Sequence, residues 1–251
     1  MPFPALKDIR EYYTDFCGGS AAIASEPLAS AVSGTAAALT LNASVPPNFG
    51  IANLATGTTA TGSSTLSLDP GLFRIDAGPH RFKVVFQIPV LASVGVQDFT
   101  VVLGFDDTGV DRAAFTIDVN NNLKLDWKAN SVGGTVTVAN TSIIPLVAAT
   151  WYQAIIDIGN VSVLSNQAAS PNLGGPIVGA RFYFGPAPTA SGIGQTAVAP
   201  KYLGSVPVSA LPSGSGRETG LVCSITSVTG TTSKSLLVDK VYVSTPSWAT
   251  V

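Results

Sequence analysis

Between Phe99 and Trp127 the sequence reads FTVVLGFDDTGVDRAAFTIDVNNNLKLDW. Asp106, Asp107, Asp111, Asp118 and Asp126 crowd into this stretch. Carboxylates this dense can do one of three things. Two of them aimed into one cleft can hydrolyse a glycosidic bond. Several oxygens on one flexible loop can hold a hard cation such as calcium. Or they can simply make turns, because Asp and Gly tolerate the backbone a turn needs.

The strand phase favours turns and a polar sheet face. Phe99, Val101, Leu103 and Phe105 alternate, as do Phe115, Ile117 and Val119, then Leu123, Leu125 and Trp127. Asp118, Lys124 and Asp126 fall on the faces opposite these sets, so a solvated face is expected. A short turn at Asn120–Asn122 brings Asp118 and Lys124 into cross-strand reach. Asp106, Asp107 and Asp111 fall in the connection DDTGVD. Its spacing D-D-x-x-x-D lacks the calcium-loop pattern D-x-[DN]-x-[DN]-G. Structural calcium at Asp106 and Asp107 stays open as the second reading.

Asp239 is a different case. In LLVDKVYVS it shares its parity with Leu237, Val241 and Val243. An Asp on an apolar face must be hydrogen-bonded, paired or metal-bound, because a bare buried carboxylate is costly. Backbone hydrogen bonds or an Arg partner come first, and a structural calcium ion second. No other cofactor and no catalytic metal is expected.

Other chemistry finds little support. The sequence has no G-x-S-x-G, H-E-x-x-H or phosphate-binding glycine loop. The single histidine, His80, stands at a strand entrance in DAGPHRFK, where a structural role is the better reading. An enzyme is therefore not expected. Cys17 and Cys223 form no CxxC or Cys/His cluster, so zinc is not expected; two free buried thiols are the first reading and a disulfide the second.

The elements that must position these residues are strands. RFKVVFQIPVL alternates from Phe82 through Val84, Phe86 and Ile88 to Val90. TWYQAIIDIGN does so through Tyr152, Ala154, Ile156 and Ile158, with VSVLS as a return strand. ARFYFG and SLLVDKVYVS add two more. Residues 42–67 read as long loops with one or two strands, and long loops are expected at 165–180 and 185–220. In ALKDIREYY, Leu6, Ile9 and Tyr13 share one helical face, which predicts a short amphipathic N-terminal arm. The expected organisation is an arm over 1–16 and one all-β antiparallel sandwich over 17–251.

VVLGFDD, FTIDVNNNLKLDW, TWYQAIIDIGNVSVLS and LLVDKVYVS together resemble the concanavalin A-like lectin and laminin-G-type sandwich, across residues 80–244. The resemblance implies a jelly-roll fold, whose members include sugar-binding modules, glucanases and adhesion domains. The glucanase members carry an E-x-D-type motif. This chain has no Glu between Glu26 and Glu218, so that activity does not carry over. The lectins' sugar and calcium ligands cannot be placed on this sequence. In style the chain also resembles bacteriophage virion proteins.

Composition sets the partners. Of 251 residues 46% are hydrophobic and only 11% charged, against about 25% charged usually. Weak self-repulsion suits a protein that sits between neighbours. The net charge of −2, with scattered Lys and Arg, leaves no footprint for nucleic acid. No uninterrupted apolar stretch suits a membrane span. MPFPALKDIREYY lacks a signal peptide's apolar core, so synthesis in a cytoplasm is expected. Between Gly185 and Ser215 the only charge is Lys201, in a run of small residues that order cheaply against a partner. Leu6, Ile9, Tyr13 and Lys201 are the interface candidates. The expected function is a structural protein of a phage virion, assembled in the host cytoplasm, decorating the capsid or forming part of a fibre or tail. Its partners would be the major capsid protein and copies of itself. The alternative is a carbohydrate-binding lectin or adhesin for a host glycan.

Overall fold

The computed structural model describes residues 9–16, 28–42, 50–75, 79–137, 146–159, 179–187, 199–213 and 218–246. Within them the chain forms β1 (Ile9–Thr14), β2 (Leu28–Ser33), β3 (Ala38–Asn42), β4 (Ile51–Ala55) and β5 (Ser63–Arg74). Next come β6 (His80–Gln87), β7 (Asp98–Asp107), β8 (Asp111–Ile117), β9 (Leu123–Ala129) and β10 (Val132–Thr137). The chain continues with β11 (Trp151–Ile158), β12 (Gly179–Pro186), β13 (Lys201–Pro207), β14 (Glu218–Thr229) and β15 (Ser235–Pro246).

The strands form two antiparallel sheets, as the alternation predicts. One has eight strands in the order β13-β12-β11-β6-β15-β4-β3, with β1 also paired to β15. The other has seven, β10-β9-β8-β7-β14-β5-β2. The inward residues of the two sheets make one core, and its aromatic rings meet across the layers. Phe115 of the smaller sheet meets Phe182 of the larger edge to face, ring centroids 5.2 Å apart. Tyr152 stacks on Phe184 at 5.1 Å. Phe82, Phe86, Phe115, Ile117, Leu125, Tyr152, Ile156 and Phe182 are buried as the alternation requires, and Trp127 is partly buried against them.

Two expectations are corrected. Residues 9–14 are an edge strand, not a helix: β1 pairs with β15 from Ile9↔Pro246 to Thr14↔Val241. The period of two in Tyr12, Thr14 and Phe16, all turned toward the core, outweighs the helical spacing of Ile9 and Tyr13. Leu6 lies outside the described residues. Residues 42–67 hold the one or two strands expected there, β4 and the start of β5, which pairs with β14 and β2. The 185–220 segment, by contrast, is not one loop. It contains the end of β12, β13, a 3-10 turn at Val208–Ala210 and the start of β14. Of 165–180, Gly179 and Ala180 begin β12. The rest of that segment, like the VSVLS strand, lies outside the described residues.

Candidate functional site

The acids of the opening stretch resolve into structure. Asp106 and Asp107 close β7 and Asp111 opens β8, so they are strand ends flanking the turn rather than loop residues. Thr108 and Gly109 turn the chain with positive φ, and Val110 N–H donates to the Asp107 carbonyl at 2.7 Å. Arg112 clasps Asp106 with Nε–Oδ1 at 2.6 Å and Nη2–Oδ2 at 3.2 Å, while its Nη1 reaches Asp126 Oδ2 at 2.7 Å. Asp106 also accepts Gly109 N–H at 3.1 Å. Asp111 accepts Asn130 N–H at 2.7 Å and so holds the neighbouring β9–β10 turn.

Asp118 accepts backbone N–H groups of Asn120 and Asn122, each at 2.9 Å, and pairs with Lys124 at 2.9 Å, the cross-strand pair the sequence predicts. Asp126 departs from the expected solvated face: its side chain is only 6% exposed beneath Arg112. Burial pulls Arg112 down, but the two carboxylates outweigh it and hold the guanidinium above its ordinary value.

Asp239 lies in the other sheet, so the structure does not bring it to Asp106 and Asp107. It is the extra residue of a β-bulge, since Val238 pairs with Phe86 and Lys240 with Val85. Before the bulge Leu236 and Val238 face the core, and after it Val241 and Val243 do. Leu237 is therefore not on its apolar face, a correction to strict parity. Asp239 is 2% exposed and its Oδ1 lacks a hydrogen-bond partner. Burial and nearby Asp15 push its carboxyl up, against the pull of Lys240 at 3.9 Å. Among the described residues no group of three His, Cys, Asp or Glu could hold a metal ion. His80 is fully buried, its ring beside Phe73 and Phe105. Cys223 is a free buried thiol pushed up to about 12 by burial, which removes it as a nucleophile. Cys17 lies outside the described residues.

Among the described residues, a concentration of aromatic and charged side chains lies on the outward face of the larger sheet. Cα partners there are Tyr13↔Tyr242, Tyr242↔Lys83, Lys83↔Ile155, Ile155↔Tyr183 and Tyr183↔Tyr202. One row thus crosses β1, β15, β6, β11, β12 and β13, about 24 Å at the usual strand spacing. Tyr13 and Tyr202 at its ends are each 54% exposed. The rings of Tyr183 and Tyr202 lie 5.6 Å apart.

Two irregularities make the row. Without the Asp239 bulge Lys240 and Tyr242 would take the core parity of Leu236 and Val238. A second register shift in β13 skips Leu203 and sets Tyr202 opposite Tyr183.

The next row holds Ser244↔Arg81, Arg81↔Asp157, Asp157↔Arg181 and Arg181↔Ser205. Arg81 grips Asp157 through Nε–Oδ1 at 2.5 Å and Nη2–Oδ2 at 2.8 Å. Its hydrogen bonds to Asp157 hold the guanidinium above its ordinary value against burial. Lys83 is pulled below its ordinary value by burial and by the like charges of Arg81 and Lys240. Burial pushes the Tyr183 phenol up, although a hydrogen bond from Arg181 opposes this.

Sequence reading did not find this face. The signal was a polar or aromatic residue at outward parity in RFKVVF and ARFYFG. Of the interface candidates, Tyr13 and Lys201 are exposed, and Ile9 is the first residue of β1. Among the described residues no helix is long and apolar enough to cross a membrane.

Two packed antiparallel sheets define this chain as an all-β sandwich. No protein-family model and no curated protein matches the sequence. Among solved structures it is similar to a protein of unknown function from Shewanella oneidensis MR-1, with TM-score 0.57 and 15% identity, covering 100% of this chain and 93% of that one. It is also matched to the binding domain of botulinum neurotoxin DC in complex with SialylT, with TM-score 0.48 and 10% identity over 86% of this chain. This chain spans only 42% of that toxin chain. A third match is a carbohydrate esterase from the Shiga toxin-encoding bacteriophage phi24B, with TM-score 0.46 and 12% identity over 87% of this chain and 90% of that one. At 15% identity the likeness to the Shewanella protein speaks for the fold alone.

Proposed function

We propose that this chain is a glycan-binding sandwich of the concanavalin A-like, jelly-roll type, carried on a bacteriophage virion. The observation behind it is the row of four tyrosines at outward positions of the sheet, with Tyr13 and Tyr202 open at its ends, Tyr242 partly exposed and Tyr183 buried beside Tyr202. Tyrosine offers a rigid apolar ring for the C–H face of a sugar and a hydroxyl for its polar edge, at low entropic cost. An extended, open row suits a chain of sugar units better than a small metabolite, which needs a closed pocket. The reading assigns no catalytic residue. Binding of soluble oligosaccharides by calorimetry tests it. Tyr13→Ala with Tyr202→Ala should lower affinity at least tenfold with the fold intact, and unchanged affinity would overturn it.

A separate observation favours the particle. Val90, Val94 and Val96, in and beside the β6–β7 connection, are all more than half exposed. Such a patch suits a protein neighbour. On this reading the valines and Lys201, with Leu6 and Ile9 of the N-terminal segment, meet capsid, tail or fibre proteins or further copies of the chain. Val94→Asp with Val96→Asp should leave the sandwich folded and remove the protein from purified virions. Undiminished incorporation would refute this part.

A further inference from the structure

We propose that the glycan taken by the tyrosine face is anionic, with its acidic groups seated at Lys83 between Arg81 and Lys240. This rests on the glycan-binding reading of the same face. Among the described residues, the outward faces of the two sheets differ in charge balance. On the outward face of the smaller sheet acids match the cations: Arg112 has Asp106 and Asp126, Lys124 has Asp118, and Lys128, opposite Arg112, is the one cation of these three with no ion pair among the described residues.

On the larger sheet, Arg81, Lys83, Arg181 and Lys240 occupy outward positions, while the acids at outward register positions are Asp157 and Glu11, and the bulged Asp239 lies buried 3.9 Å from Lys240. Asp157 is already held by both nitrogens of the Arg81 fork. Among the described residues no acid lies within ion-pair distance of Lys83, and its charged neighbours are two further cations. The chain as a whole carries −2, so a cationic face is a local concentration rather than a general property.

Placement adds to charge. Arg81 and Lys83 are two residues apart on β6, and Lys240 stands opposite Val85 one step further. That gives three cations at steps of about 7 Å along the strand, from ~3.4 Å per residue. Lys83 itself is in the tyrosine row, with Tyr242 as its immediate partner. A half-buried ammonium flanked by like charges gains most from an anion, because the anion relieves both repulsion and lost hydration. A neutral sugar would occupy the rings and leave that repulsion in place.

The test uses the full chain with three soluble polymers: polygalacturonate as the carboxylated glycan, dextran sulfate as the sulfated one and dextran as the neutral one. Polyglutamate serves as an acidic non-sugar. The expected result is binding of one or both acidic glycans, weakened by added salt, with dextran and polyglutamate at least tenfold weaker. The two acidic polymers decide between carboxylate and sulfate. Lys83→Gln should cost about tenfold toward the acidic glycan, the worth of one charge-assisted contact, with an unchanged melting temperature. Lys240→Gln, at an exposed site, should act in the same direction and serves where Lys83→Gln fails to fold.

If dextran binds as well as the acidic glycans, and Tyr13→Ala with Tyr202→Ala abolishes both, the face binds glycans and the anionic inference is wrong. If polyglutamate binds equally and the tyrosine variants change nothing, the attraction is unspecific charge and both readings fail. If no polymer binds, both fail as well.

Discussion

Arg112 on β8 reaches diagonally to Asp126 on β9, Nη1 donating to Oδ2 at 2.7 Å, while its other two nitrogens hold Asp106 on β7. One cation thus ties three strands of the smaller sheet. Two of the five acids that looked most like a site are the partners of this residue.

Removing that cation should be costly. Arg112→Ala leaves two poorly hydrated carboxylates facing each other, and a loss of about 3–5 kcal/mol is expected from denaturant unfolding. Arg112→Met combined with Asp106→Asn and Asp126→Asn should recover most of it, because no buried charge is then left unpaired. A triple variant as unstable as Arg112→Ala would show that packing, not charge, sets the loss.

Asp118 makes a pH-dependent prediction. Burial pushes its carboxyl up, but Lys124 and the N–H groups of Asn122 and Asn120 outweigh this and hold it below the usual range. A carboxyl depressed in the folded state stabilises above the unfolded pKa of about 4, and that contribution is lost as pH falls through the folded value. Asp118→Ala should cost about 1 kcal/mol at neutral pH, and the gap to the parent should close in acid. A gap that persists in strong acid would assign the effect to the turn's backbone instead.

The meander of β7, β8 and β9 was legible because large apolar residues alternate there without interruption. The Asn120–Asn122 turn was legible because Asn121 needs positive φ, here 60°. The first strands were not. LASAVS and ALTLN are small-residue strands that carry little periodic signal. The N-terminal segment satisfied two periods at once, and only its pairing with β15 decided between them. The tyrosine face was hidden for a sharper reason. Bulges at Asp239 and Leu203 each add one residue, and a single added residue moves every later side chain to the opposite face. No parity count along β15 or β13 could place Tyr242 and Tyr202 together with Lys83.

The Asp239 carboxyl gives a test of opposite sign. Burial, with Asp15, pushes it up despite Lys240. A carboxyl raised in the folded state costs nothing below the unfolded pKa, and its penalty grows as pH rises toward the folded value. Asp239→Asn should therefore melt above the parent at neutral pH and level with it in acid. Calcium should leave that ordering unchanged. A calcium-dependent rise in the parent that Asp239→Asn lacks would instead place a structural cation at this carboxylate.

The last prediction concerns β1. Treated as a docking arm, residues 1–13 could be removed without harm to the sandwich. Their place in the sheet argues otherwise. Six residues of β1 pair with β15, Tyr12 packs on the core, and Thr14 and Phe16 are buried beside it. Deleting residues 1–14 uncovers the edge of β15 from Val241 to Pro246 and one end of the core beneath it. An open, largely apolar edge is a template for pairing with another chain. The truncated protein should lose several kcal/mol, from the packing of Tyr12, the buried Thr14 and the uncovering of Phe16, at about 1.5–3 kcal/mol for a fully buried large side chain. It should also self-associate more than the parent in sedimentation. Deleting only residues 1–8 keeps β1 and removes Leu6. If the N-terminal segment is a contact with neighbouring subunits, this shorter deletion should lower incorporation into particles at unchanged melting temperature. The two truncations together separate a strand that completes a sheet from a tail that meets a partner. Equal stability of the 1–14 deletion and the parent would show that β1 adds nothing to the fold.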